Sequence, residues 1–242
     1  LYAAGYEPAA MERLALAESR RWLAPGLVFN EQYYYRKDQP DASFLQLPLF
    51  QGGRPRLVPD FLVSDFEINQ GLNALLAGAG ARAGNDFDSL MIPFRAVAAD
   101  IYERRALTLS RGSLPFAVRA SIAVPLVFSP ATNAEHRSLF DGGLYNNFPV
   151  DVMQQEFAPD IILGVDVTTA PLSRDEFEAR AAYLSRLLEN ATAQRTHQKM
   201  PASGIYIAPE LGGMSGADFS EAALRRAIEA GYRATLSCMA DI

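Results

Sequence analysis

A single cysteine, Cys238, excludes a disulfide within the chain and says nothing about its redox compartment. The two histidines, His136 and His197, are too few for a multi-histidine metal site. No apolar run approaches the ~18 residues that cross a bilayer as a helix. Basic excess is also missing: the net charge is −6, which argues against a nucleic-acid partner. The same acidic balance disfavours strong electrostatic docking on anionic lipid, although a local patch could still provide it. The opening residues show no basic n-region and no small-residue cleavage site. What is present is ordinary for a globular protein: 242 residues, 49% hydrophobic and 21% charged. That is enough for one large domain with a buried core.

The chain opens on "LYAAGY". Residues 1–4 are good helix formers, and Gly5 stands where a glycine just past a helix end would stand. This pattern predicts that residue 1 lies inside a domain whose upstream part is absent. Pro8 starts a helix in its first turn, continuing to about residue 23. "LVFNEQYYYRKDQ" and "SFLQLPLF" suggest strands, with "QGGRPRLVP" supplying turn chemistry between elements. A helix capped by Ser64 carries Phe66, Leu72, Leu75 and Leu76 at apolar spacing, followed by a looser connection over residues 77–86. "IPFRAVAADIYERRALTLSRG" predicts a hairpin around its "ERR", and "SLPFAVRASIAV" a helix stopped by Pro125.

"RSLFDGG" then predicts a short strand, and "FPVDVMQQEFA" a helix with Pro149 in its first turn. "DIILGVDVT" has the apolar run of a buried parallel strand. A long amphipathic helix with Phe177, Ala181, Leu184, Leu188 and Ala191 on one face follows, then the strand "GIYIAP" and a last helix over residues 219–237. Strands alternating with helices imply an α/β domain. No internal repeat or low-complexity tract interrupts it.

The strongest candidate for chemistry is Asp141 in "FDGGLYNNFPVD". Asp-Gly is a common turn signal, so a tight turn after a strand is the bland reading. Two features favour a functional one. The preceding strand delivers Asp141 to its carboxyl end, where α/β sheets place ligands, and the glycines permit a close approach. Asn146 and Asn147 are expected to cap the following helix. A carboxylate is a poor base at its reference pKa of ~3.9. Burial would raise that value, so a serine-aspartate pair without histidine is chemically workable.

The serine is harder to find. A nucleophile elbow needs Gly-x-Ser-x-Gly between strand and helix. "GGMSGADF" imitates one, but Ser215 has Gly213 before it and Ala217 after it. A loop at a helix N-terminus is the better reading. Ser113 is expected to be an N-cap, and "QGGR" at 51–54 a hairpin turn rather than an oxyanion loop. His136 lies in a loop and His197 at a helix end. Neither sits in a catalytic motif. Asp141, Asp151 and Asp166 offer carboxylates for a metal or phosphate site, but lack compact ligand spacing. No cofactor is expected.

The matching stretches "LYAAGYEPAAMERLA", "IPFRAVAADI", "GSLPFAVRASIAVPLVFSP", "LFDGGLYNNFPVDV" and "PDIILGVDV" occur in order through about residue 167. With them the chain resembles the patatin-like phospholipase family, bacterial branch. The resemblance implies a three-layer α/β/α sandwich with a mostly parallel central sheet, here as a single domain over residues 1–242 lacking its N-terminal part. It implies a lipid acyl ester hydrolase, phospholipase A or lysophospholipase-like, using a Ser-Asp dyad of which Asp141 in "DGG" is the aspartate. The family's elbow precedes the "LYAAGY" segment and its Gly-rich oxyanion loop lies further upstream, so the 242 residues alone are expected to be inactive. Substrate would be phospholipid or another acyl ester, with peripheral membrane contact and no nucleic acid. The strand-rich middle is similar to exported bacterial members, some with an outer-membrane β-barrel downstream. A periplasmic, outer-membrane-associated or secreted location is therefore implied, with the cytoplasm as the alternative. Phe44, Leu45, Leu47, Leu49 and Phe50 could hold an acyl chain, but packing explains them equally well. The competing function is a non-catalytic scaffold or interaction module built on the same fold.

Overall fold

The computed structural model describes residues 1–22, 50–51, 54–55, 65–125, 127–133, 135–168, 200–201, 203–211 and 220–239. In chain order the elements are a 3-10 turn (Tyr2–Ala4), α1 (Pro8–Trp22), β1 (Phe50–Gln51), β2 (Arg54–Pro55) and α2 (Asp65–Arg82). A second 3-10 turn (Phe87–Ser89) leads to β3 (Ala96–Asp100), β4 (Arg105–Leu109), α3 (Leu114–Ser121), β5 (Ala131–Thr132) and β6 (Ser138–Asp141). A third (Gly142–Leu144) precedes α4 (Val150–Phe157), β7 (Leu163–Val165), β8 (Ile205–Ile207) and α5 (Glu221–Ser237). The chain forms two compact units, Leu1–Phe94 with Ser110–Asp141, and Arg95–Leu109 with Gly142–Ile242. Helices and strands interleave, as the α/β expectation requires.

In the first unit Gly5 has φ 96° and donates its N–H to Tyr2 O, the glycine-ended turn expected at the chain's start. The Tyr6 hydroxyl donates to Leu75 O at 3.0 Å, tying this turn to α2. Ile68, Leu72, Leu76, Ala79 and Ala83 are buried along one face of α2, while Phe66 is exposed. The helix runs on to Arg82, where the sequence suggested a looser connection. Packing explains the difference: a Cβ on Gly80 would lie 3.2 Å from Leu114 Cβ, so a small residue lets α2 approach α3. The chain then turns at Gly84 and Asn85, both at positive φ.

The helix α3 starts where expected, with the Ser113 hydroxyl accepting from Phe116 N–H at 3.4 Å. Leu114, Ala117 and Ala120 are buried on it. Arg119 is buried too; its Nη2 donates to Ser129 O at 2.9 Å and its guanidinium lies over the Phe128 ring. β5 and β6 pair antiparallel, with Ala131 opposite Leu139 and Thr132 opposite Ser138.

The second unit contains the predicted hairpin. β3 and β4 pair antiparallel from Ala96–Leu109 to Asp100–Arg105. All five β3 residues are buried, including Asp100, whose carboxylate accepts Tyr102 N–H at 2.9 Å and Glu103 N–H at 3.0 Å in the connecting turn. Such pairing is what makes a buried carboxylate tolerable. Phe148, Val150 and Ile162 form a small core with Met200 against it. Arg95 reaches Glu156 on α4 at 3.0 Å and stacks over Phe157.

β7 and β8 run parallel, as expected of "DIILGVDVT", with Leu163 opposite Ile205 and Val165 opposite Ile207. Burial alternates along this run instead of being continuous: Ile162, Gly164 and Asp166 are buried, Leu163 and Val165 exposed. The β1–β2, β3–β4 and β5–β6 ladders are antiparallel, so the expected predominance of parallel pairing is met at β7–β8 and not in these three. Ser220 caps α5 by accepting Ala223 N–H at 3.2 Å. The expected strand at 27–39, the capping Ser64 and the amphipathic helix around 177–191 lie outside the described residues. Among the described residues no helix is long and apolar enough to cross a membrane.

Candidate functional site

Asp141 is the last residue of β6 and is half-buried. Leu139, two residues earlier and on the same face of the strand, is almost fully buried and anchors it. The Asp141 N–H donates to Ala123 O at 3.0 Å, and Ala123 is itself fully buried just beyond the end of α3. The capped helix α3 thus fixes the backbone from which the Asp141 side chain projects.

The next residues form the 3-10 turn Gly142–Leu144. Neither Gly142 nor Gly143 has positive φ, so the glycines are not needed there for a left-handed turn. Space is the reason at Gly142. A Cβ would come within 2.7 Å of the Val97 carbonyl carbon, and closer still to its oxygen. The sequence expectation of a close approach is met, and its partner is the β3 backbone.

Tyr145 and Asn146 both donate their N–H groups to Gly142 O, at 3.0 and 2.8 Å. Asn146 is buried and its side-chain amide donates to Asp151 Oδ1 at 2.8 Å. This corrects the capping role expected of it. Pro149 occupies the N-cap of α4 and no side chain caps that helix, while Asn147 is exposed. Sequence reasoning missed the Asn146–Asp151 pair. An available signal was an acidic residue in the first turn after Pro149, where the helix end favours negative charge and a nearby amide can meet it.

The other candidates separate. His136 is exposed at φ 60° in the turn between β5 and β6. Ser113 is the α3 cap. Arg54 and Gln51 pair in the β1–β2 ladder, consistent with a hairpin turn at "QGGR". Ser215, His197 and Phe44–Leu49 lie outside the described residues. Asp166 accepts hydrogen bonds from the Tyr206 hydroxyl and from Thr168 N–H, the latter at 2.9 Å. Burial, then the hydrogen bond and charge of Asp166, push the Tyr206 hydroxyl up to about 12. Among the described residues no three His, Cys, Asp or Glu side chains gather to hold a metal ion. A cleft of about 260 Å³ in the first unit is lined by Ala4, Gly5, Tyr6, Leu75, Gly78 and Arg82 and does not include Asp141.

Comparison with known proteins bears on these residues directly. An uncharacterized NTE family protein of Mycobacterium bovis is 31% identical over 115 residues, covering 44% of this chain and 30% of the relative. A counterpart in Mycobacterium tuberculosis matches equally. Another uncharacterized NTE family protein of Mycobacterium tuberculosis is 41% identical over 69 residues, 28% of this chain and 12% of the relative. The matched part is thus less than a third of these curated relatives. The model of the family described as Patatin-like phospholipase matches residues 1–153, from the glycine-ended opening turn through Asp141 to the start of α4. The chain belongs to the patatin-like phospholipase family.

Proposed function

We propose that the protein is a serine-type hydrolase of phospholipid or a related acyl ester, with Asp141 as the base of a Ser-Asp dyad. One observation carries this reading. Asp141 ends β6 with its backbone tied to Ala123, directly before a glycine that the β3 backbone leaves no room to replace, within the stretch that the family model matches. The serine belongs to a Gly-x-Ser-x-Gly elbow, a motif these 242 residues do not contain. The catalytic unit is therefore the full-length protein, folded as a three-layer α/β/α sandwich.

In the first half-reaction the serine hydroxyl gives its proton to the Asp141 carboxylate as Oγ attacks the ester carbonyl carbon. The tetrahedral oxyanion collapses, the carbon–oxygen bond to the alcohol breaks, and that oxygen takes the proton from Asp141. In the second, water gives a proton to Asp141 and attacks the acyl-serine. Collapse releases the carboxylic acid and returns the proton to Oγ. Backbone donors supplied by a Gly-rich loop would stabilise both oxyanions. Such a substrate brings the enzyme into peripheral contact with a membrane. Export to the periplasm, outer membrane or medium is the location that fits the exported relatives it resembles, with the cytoplasm as the alternative.

The test is Asp141→Asn in the full-length protein. Ester hydrolysis is expected to fall by ~10²–10⁴-fold, with parallel loss of fluorophosphonate labelling. Retained turnover would remove Asp141 from the dyad. A full-length wild type that neither labels nor hydrolyses, with residues 1–242 stable and monodisperse, would favour the non-catalytic scaffold.

A further inference from the structure

We infer that Asn146 is a positioning residue for Asp141, acting through a latch between the turn after β6 and the first turn of α4. The inference rests on the dyad reading of Asp141 and adds a residue to it. The turn starts at Gly142 and Gly143, which have no side chains to restrain them, so its shape has to come from elsewhere. On one side Gly142 lies against the Val97 backbone of β3. On the other, Asn146 closes the turn twice: its N–H donates to Gly142 O at 2.8 Å, and its amide donates to Asp151 Oδ1 at 2.8 Å.

The receiving end is firm. Asp151 sits in the first turn of α4, where the helix dipole favours a carboxylate. Val150 beside it is buried in the core with Phe148 and Ile162. Farther along α4, Glu156 meets Arg95, the residue immediately before β3. The turn is therefore clamped between β3 and α4. Asp141 is covalently joined to its first residue, so the clamp sets the direction in which the chain leaves Asp141. Misplacing a reacting group by about 1 Å costs on the order of 10²-fold in rate.

Asn146 is buried and its partner is a carboxylate, so the hydrogen bond is charge-assisted. The test exchanges the two partners. Asn146→Asp alone sets two carboxylates against each other, whereas Asn146→Asp combined with Asp151→Asn restores one donor and one acceptor in reversed order. Two readouts are needed. In residues 1–242, hydrogen exchange at the Tyr145 and Asn146 amides should quicken about tenfold or more in the single variant and return toward wild type in the exchange variant. In the full-length protein, kcat on a soluble short-chain ester should fall roughly tenfold or more with KM little changed, and recover in the exchange variant.

Unchanged exchange in a folded Asn146→Asp protein would overturn the latch, whatever the activity. Changed exchange with unaltered kcat would overturn its positioning role. Failure of both readouts to recover in the exchange variant would also overturn it, because the hydrogen bond would then not be the cause. A wild-type protein without hydrolysis, but with the exchange pattern described, would sink the dyad reading and leave the latch standing.

Discussion

Asp141 and Asp166 both stand at the carboxyl ends of short strands, one at an antiparallel ladder and the other at a parallel one. Asp166 follows parallel β7, is only 6% exposed, and commits its carboxylate to the Tyr206 hydroxyl and Thr168 N–H. Tyr206 lies on β8, so this carboxylate joins the two strands from above their ladder. Asp141 ends antiparallel β6, is half-buried, and donates its backbone N–H to Ala123 O. A turn that tolerates no side chain at its first position follows it. A carboxylate whose oxygens hold two strands together suits stability. Position at a strand end does not by itself assign a role to a carboxylate.

Matched substitutions would break this comparison if it is wrong. Asp141→Asn should lower hydrolysis by ~10²–10⁴-fold while leaving the unfolding midpoint close to wild type. Asp166→Asn should do the reverse, lowering stability by about 1–2 kcal/mol in denaturant titration through its weakened hydrogen bonds. Loss of activity in Asp166→Asn at wild-type stability would erase the distinction. Between these lies Gly142→Ala, where the added methyl meets the β3 backbone. It should cost ~1–3 kcal/mol and reduce activity as well, because it shifts the turn after Asp141. A fully stable, fully active alanine variant would show that the turn yields freely.

The smallest effect is a pH dependence. The Tyr206 hydroxyl is raised from 10 to about 12, so the folded state holds its proton more tightly than the unfolded chain. That contribution is fully present below pH 10 and is lost as pH rises from 10 toward 12. Tyr206 is 38% exposed, and solvent screening keeps the effect small. Thermal melts of wild type should therefore fall more steeply across this window than those of Tyr206→Phe. Parallel slopes would remove the Asp166–Tyr206 pairing as a contributor.

Much of the frame was legible in local chemistry. Ser113 announced α3, "ERR" announced the β3–β4 hairpin, and the "SLF" run before Asp141 announced β6. These are short-range effects: a hydroxyl meets an N–H three residues on, or a strand alternates around its pleat. Errors came where a distant partner changed the outcome. The small residues of 77–82 suggested a loop, yet they continue α2 because Leu114 packs close to Gly80. Asn146 suggested a cap, yet its amide found Asp151, a side chain five residues on across Pro149. The run at 161–167 suggested burial on both faces, yet Leu163 and Val165 are exposed.

For the candidate site, the sequence alone determined the identity of its one chemical group: a carboxylate at a strand end, followed by two glycines. It also determined that no elbow serine occurs among these residues. Why Gly142 must be glycine was decided only by tertiary structure, since Val97 lies some 45 residues earlier in the chain and reaches the turn through β3. The same holds for Asp166 and Tyr206, which are 40 residues apart and meet because β7 and β8 pair. Local sequence specifies dihedral preferences and hydrogen bonds over a few residues. Steric exclusion and the satisfaction of buried charges depend on which strands become neighbours, and that is settled when the chain packs.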